Sequence, residues 1–309
     1  MIWEAVARNK RRSAFLLILL AGVMVVFFGS LGYLLGDGKD PDYMWVGCGV
    51  GAVVWVVMLL VNLAAGERLL MASAGAREVR HEDAPQIYNL VEEMRIAAAL
   101  PAMPKVYVMD SAVPNAFAVG LKPERASVAV TTGLVQRLNR DELQGVIAHE
   151  IAHISNRDTL FMTLAGISLG AIVLAADVAW RMILYGGRSR RKMDGRAQLI
   201  VFAIAIAFAI LAPLIARILY FACSRQREYL ADASAAQFTR YPDALANALE
   251  KISTNQNAKK LESNRVVAPM YIINPLAASG SSSIFGTHPP TAKRIQALRE
   301  MRGSFTPKK

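Results

Sequence analysis

The residues of this chain best suited to chemistry occupy five consecutive positions, His149-Glu150-Ile151-Ala152-His153. On a helix, residues four apart lie one turn apart on the same face, so His149 and His153 are near enough to share one metal ion. Glu150, about 100° round from His149, then reaches a water on that ion and is placed to act as its acid/base. A histidine pair that merely caps or packs on a helix gives the same pentapeptide, so the surroundings have to decide. A zinc site of this kind needs a third protein ligand and an open fourth position. Glu228, in Ser224-Arg225-Gln226-Arg227-Glu228-Tyr229-Leu230-Ala231-Asp232, is the candidate. Asp232, four residues on, shares its helical face and offers a carboxylate that can accept the outer N–H of a ligating histidine. Alone, these two acids would read as the solvated side of an amphipathic helix; beside the pentapeptide they read as the rest of a site. The two cysteines, Cys48 and Cys223, lie within or at the end of apolar runs, so the donors are nitrogen and oxygen and no disulfide framework is indicated.

These side chains require particular elements to carry them. The spacing predicts a helix from about Arg140 to Asn156, with Asn139 as N-cap, Glu142 as its reciprocal acid, and Leu143, Val146 and Ile147 as an apolar stripe. Ala84 to Leu100 has helical periodicity through Ile87, Leu90, Val91 and Met94, and Pro101 and Pro104 end it. Lys105 to Met109 and Ser127 to Thr131 read as strands, and Asn115-Ala116-Phe117-Ala118 lies in a turn-rich setting. A small sheet beside the metal helix would offer an edge for an extended peptide. Helices are expected between Ala233 and Ile252, broken at Tyr241-Pro242, and again around Arg294, Ile295 and Leu298. Asn255 to Asn264 and Gly280 to Ser283 read as loops. Of the two histidines outside the pentapeptide, His81 has no motif around it, while His288 precedes Pro289 and Pro290.

The composition is that of a membrane protein. It is 54% hydrophobic, with mean hydropathy +0.32, too apolar for a plain soluble enzyme. The net charge of +11 comes without zinc-finger spacing or an aromatic-interleaved basic motif, so nucleic acid is not the expected partner and the charge reads as membrane orientation. Ser13–Gly36 and Tyr43–Gly66 are uncharged runs of 24 residues each, Thr159–Ala176 one of 18 and Ala197–Ala216 one of 20; all are long enough to span. Arg8, Lys10, Arg11 and Arg12 precede the first run and an acidic loop, Asp37 to Asp42, follows it, which sets the N-terminus in the cytoplasm. The organisation expected is a transmembrane hairpin over 1–66, a cytoplasmic catalytic domain over 67–158 and 222–309, and an inserted hydrophobic hairpin over 159–221. The loop of that insertion carries Arg188, Arg190, Arg191, Lys192 and Arg196. Ligation by His153 before it and Glu228 after it requires the insertion to leave and return on one side. It either crosses with a basic outer loop or forms a re-entrant hairpin.

With these residues in view, the chain resembles the HtpX family of membrane zinc metallopeptidases, more distantly related to the prenyl-protein (CAAX) endopeptidases. The resemblance rests on the two N-terminal spans, Asn115 to Ala118, Ala148 to His153, the second hydrophobic pair, Arg227-Glu228 with Asp232, and His288-Pro289 with Arg294. It implies a mainly α membrane protein with four spans and a gluzincin-type domain containing a small β-sheet. It further implies one Zn2+ held by His149, His153 and Glu228, Glu150 as catalytic acid/base, and His288 and Arg294 near the cleft. The expected role is cleavage of misfolded or damaged proteins at the bacterial inner membrane, with unfolded polypeptides and the lipid bilayer as partners. Three rivals differ in observable ways. An intramembrane protease would bury the pentapeptide in a span, whereas Arg140, Asp141 and Glu142 precede it here. A prenyl-protein endopeptidase of the eukaryotic type would have more spans. A non-catalytic zinc-binding scaffold would not require Glu150.

Overall fold

The computed structural model describes residues 2–35, 40–160, 227–253, 271–272 and 289–305. The basic loop around Arg190, both runs of the insertion except Thr159 and Leu160, the loops expected over 255–285, and His288 lie outside them. Among the described residues one compact unit comprises residues 2–10 and those from Gly66 onward, and a second comprises Arg11–Ala65.

The second unit holds the greater part of two long helices, α1 (Ile2–Leu35) and α2 (Pro41–Ser73). They approach backbone to backbone through glycines: a Cβ on Gly51 would stand 2.8 Å from the Met24 carbonyl oxygen, and one on Gly32 or Gly47 would collide with the Tyr43 or Phe28 carbonyl. Pro41–Val61 is the one helical stretch among the described residues long and apolar enough to cross a membrane, and only 11% of its most apolar window is buried. Trp45, Val46, Val53 and Leu60 stand exposed along it, a surface that suits hydrocarbon rather than water. Within α1, Ala21–Ser30 is a shorter apolar stretch among the described residues, and the two runs of the insertion fall outside them.

In the first unit a four-stranded mixed sheet holds β1 (Ala76–Glu78), β2 (Lys105–Met109), β3 (Ala116–Gly120) and β4 (Ala126–Thr131) in the order β1-β2-β4-β3. β2 and β4 are parallel, Lys105 opposite Ser127 and Met109 opposite Thr131; the other pairs are antiparallel. The turn-rich reading of Asn115 to Ala118 is corrected, because Ala116 onward forms β3. Gly120, at φ +145, ends that strand where a Cβ would press on Ala126. β3 is an edge strand, but all its residues are buried, and the Ala116 carbonyl accepts the Ile272 N–H at 3.0 Å.

Helix α3 (Pro85–Ala97) starts on its proline and buries Ile87, Leu90, Val91 and Met94. The short α4 (Thr132–Arg137) is capped by Thr131, whose Oγ1 accepts from the Leu134 N–H at 3.2 Å. The central element is α5 (Arg140–Ser155). Its start is fixed by a reciprocal cap: Asn139 Oδ1 accepts from the Glu142 N–H at 2.9 Å, and Glu142 Oε2 accepts from the Asn139 N–H at 3.0 Å. Twelve of its sixteen residues are buried, so α5 is a core helix packed on β3, α3 and the helix Pro242–Ser253 rather than a surface helix with one apolar face. A helical run over 227–239 (α6), α7 (Pro242–Ser253) and α8 (Thr291–Glu300) complete the unit. Leu143, Val146, Ile147, Ile151 and Ile154 of α5 join Val128, Val130, Leu245, Leu249 and Leu298 in one core. Each such side chain contributes about 1.5–3 kcal/mol by leaving water, enough to fix the helix on which the chemistry sits.

Candidate metal centre

The burial that makes α5 a core helix carries its polar residues inward too: His149, Glu150 and His153 are buried. The two imidazoles meet edge to face, 4.7 Å between centroids, with their Nε2 atoms 3.1 Å apart. From α6, Glu228 comes in across them, Oε2 lying 3.6 Å from His149 Nε2 and Oε1 3.6 Å from His153 Nε2. One donor atom from each of the three therefore lies within 4.8 Å of the others. Tetrahedral zinc, with bonds of about 2.0–2.2 Å, spaces its ligands about 3.3–3.6 Å apart; the separations here, 3.1 Å between the imidazole nitrogens and 3.6 Å from each to a different oxygen of Glu228, are close to that.

The outer nitrogens face carboxylates. His149 Nδ1 lies 2.9 Å from Asp232 Oδ1, and His153 Nδ1 lies 3.2 Å from Asp158 Oδ2. Arg294, brought in by α8 and 1% exposed, donates through Nε and Nη2 to the two oxygens of Asp232, both at 2.8 Å, and through Nη1 to the Ile272 carbonyl at 3.1 Å. Its Nη1 also stands 3.3 Å from Glu228 Oε2.

Charge explains the behaviour of these groups. Burial alone would strip the proton from His149, but hydrogen bonding to Asp232 and Glu228 outweighs it and raises its pKa to about 9. Burial would likewise favour neutral Asp232, yet the Arg294 charge and the His149 hydrogen bond hold it down at about 2. For Arg294, the cost of burial is outweighed by Asp232 and Glu228, and its pKa rises. Among the described residues, the buried charged groups around the histidines are the acids Glu150, Asp158, Glu228 and Asp232 against Arg227 and Arg294. With His149 neutral this leaves two negative charges; in the metal-free chain the proton drawn to His149 offsets one of them, and a divalent cation would take that proton's place and balance both. Proton and cation compete for the same His149 nitrogen.

The structure thus brings together His149, Glu150, His153, Glu228, Asp232 and Arg294. Asn115 is buried at the head of β3, its N–H donating to Thr131 Oγ1 at 2.8 Å. His81 lies on the surface, 2.8 Å from Asn89 Oδ1. Asp158, which with His288 stands next in line after Glu228 as a third ligand by residue type, instead meets the outer nitrogen of His153, a contact the sequence does not announce. The only signal for it was an acid just past the end of the helix.

The model of peptidase family M48 matches residues 81–302. Among curated proteins, a Protease HtpX homolog of Dictyoglomus turgidum is 41% identical over 305 residues, covering 97% of this chain and 94% of that protein. A Protease HtpX homolog of Lactobacillus helveticus is 38% identical over 306 residues, covering 97% and 100%. Among solved structures, Ste24p of S. mikatae aligns with TM-score 0.49 and 18% identity, covering 95% of this chain and 66% of that one, just under two thirds of its length. Because the family match takes in every side chain of the buried cluster, and relatives align along nearly the whole chain, this protein belongs to peptidase family M48, alongside the HtpX homologues.

Proposed function

We propose that this chain is a membrane-bound zinc metalloendopeptidase that cleaves misfolded or damaged membrane proteins on the cytoplasmic side. The observation that carries this reading is the convergence of His149, His153 and Glu228 beside Glu150, with buried acids outnumbering buried arginines around them among the described residues. His149, His153 and Glu228 would hold the ion. Zinc bound there supplies Lewis acidity and brings the pKa of water toward about 7. Glu150 takes the proton of the attacking water and returns it to the leaving amine nitrogen as the peptide bond breaks. Asp232 keeps His149 in the tautomer that presents Nε2, and Arg294 keeps Asp232 ionised and in place. The exposed apolar surface of Pro41–Val61 supports attachment to a bilayer.

The activity is tested by mixing the zinc-loaded chain with an unfolded membrane protein and with the same protein folded. New fragments are expected from the unfolded form, stopping on chelation and returning with zinc; an absence of fragments from either form contradicts the reading. Sidedness is tested with a cysteine at Ser189 in a background lacking Cys48 and Cys223. Labelling of intact cells by an impermeant thiol reagent is expected if the insertion crosses, while protection until the cells are broken identifies a hairpin that never leaves the cytoplasmic side.

A further inference from the structure

Each histidine of the centre has its own carboxylate, and the two carboxylates are reached differently. That of His149 comes from α6, and that of His153 comes from just beyond the end of α5 itself. We propose that Asp158 is a positioning residue for His153, holding its ring so that Nε2 faces His149 and Glu228, and that it couples this histidine to the helix bearing Glu228. The inference rests on reading the cluster as a metal centre.

Asp158 is fully buried. Its Oδ2 lies 3.2 Å from His153 Nδ1, the nitrogen opposite the one that meets His149 Nε2. An imidazole that gives Nδ1–H to a carboxylate keeps its lone pair on Nε2 and loses its freedom to rotate. The other oxygen, Oδ1, lies 3.7 Å from Nε of Arg227, the residue before Glu228. One carboxylate therefore touches both a candidate ligand on α5 and the start of the helix that supplies the third.

The backbone is bent to put it there. After α5 the Asn156 N–H still donates to the Ala152 carbonyl at 2.8 Å, but Arg157 turns left-handed, φ 62. That conformation costs a residue with a Cβ about 1–2 kcal/mol, and such strain persists where the surroundings over-determine it. The turn is held by Asn156 Nδ2 donating to Ser234 Oγ on α6 at 3.4 Å, and by the Arg157 N–H donating to the Ile154 carbonyl at 3.1 Å. Asp158, the next residue, is thereby turned back under His153. Its carboxylate occupies the outer side of the ring, so it orients a ligand rather than serving as one.

A merely structural Asp158–Arg227 pair would affect thermal stability and leave the metal unchanged. The test uses the full chain in detergent, stripped of metal and reloaded with Zn2+ or Co2+. Zinc dissociation constants are read by chelator competition and ligand geometry by the visible spectrum of the cobalt form. Asp158→Ala is expected to weaken zinc binding about 10–100-fold and to shift the cobalt spectrum. Asp158→Asn, whose amide oxygen still accepts from Nδ1, is expected to recover most of both. Asp158→Ala with zinc affinity within about threefold of wild type and an unchanged spectrum overturns the proposal, whatever its melting temperature. Should Asp158→Ala not fold, Asp158→Glu decides: it keeps the charge but misplaces the oxygens, so a shifted spectrum is expected and an unshifted one overturns the proposal. A wild-type chain that takes up no zinc overturns the metal-centre reading as well, whereas an unaffected Asp158 variant removes this inference alone.

Discussion

Glu228 and Asp232, one turn apart on α6, are both buried acids, but they stand in different relations to the histidines. Glu228 reaches both Nε2 atoms, whereas Asp232 meets His149 from the outer side and is gripped by Arg294. Their removal should therefore be felt unequally. Asp232→Ala is expected to weaken zinc binding about 10–100-fold through loss of ring orientation, and Glu228→Ala to weaken it further by removing a donor atom. Chelator competition on the two variants reads the order directly; a Glu228→Ala chain that holds zinc like wild type would place the third ligand elsewhere. Asp232 also sets an acid limit. Its folded pKa, about 2, lies below its ordinary 3.8, so the ionised form is the one the fold favours, by on the order of 2 kcal/mol. That stability is complete above about pH 4 and is lost as pH falls through about 2. Denaturant titrations of the metal-free chain between pH 5 and 2 should show Asp232→Asn losing less stability over that range than wild type does.

The elements that carry the site differ in how visibly they are written. Helix α5 is legible because its signals are local: the Asn139–Glu142 cap forms as its spacing implies, and α3 buries the four residues its periodicity picks out. What local pattern does not reveal is that α5 is buried almost all round, since that depends on β3, α3 and α7 arriving from elsewhere. Strand β3 is missed for a related reason. Pro114 and Asn115 punctuate its start like a turn, while its extended form comes from pairing with β4. Three-residue β1 has no apolar alternation and exists through its pairing with β2. Within the site, the i, i+4 spacing of Glu228 and Asp232 is visible, but Asp158 is not, because its approach to His153 depends on a left-handed turn at Arg157. The contact of α5 with α7 is equally unwritten and unusually close. A Cβ on Gly145 would lie 2.8 Å from the Leu245 nitrogen and 3.0 Å from its Cα, where only backbone could yield. Gly145→Ala is expected to cost about 1–3 kcal/mol, measured as a lower melting temperature, and to loosen zinc binding because His149 follows one turn along the same helix. A variant as stable as wild type would show that the two helices can part freely.

For the molecule as a whole, the sequence and the structure agree on an apolar helical portion and a compact α-rich unit with a small mixed sheet, in which one ion-paired cluster is kept from water. The relatives are named as proteases, and the chain shares their family; the reaction proposed for it rests on Glu150. It is buried on α5 between the two histidines, and its charge is felt by Arg294. A carboxylate in that position can accept and return a proton, whereas an amide of the same shape cannot. The decisive measurement is zinc content and proteolysis on one preparation of full-length Glu150→Gln beside wild type, with an unfolded membrane protein as substrate. One zinc per chain in both, with cleavage by the variant reduced by about three orders of magnitude or more, is the expected result; cleavage at the wild-type rate by a zinc-loaded variant would contradict it.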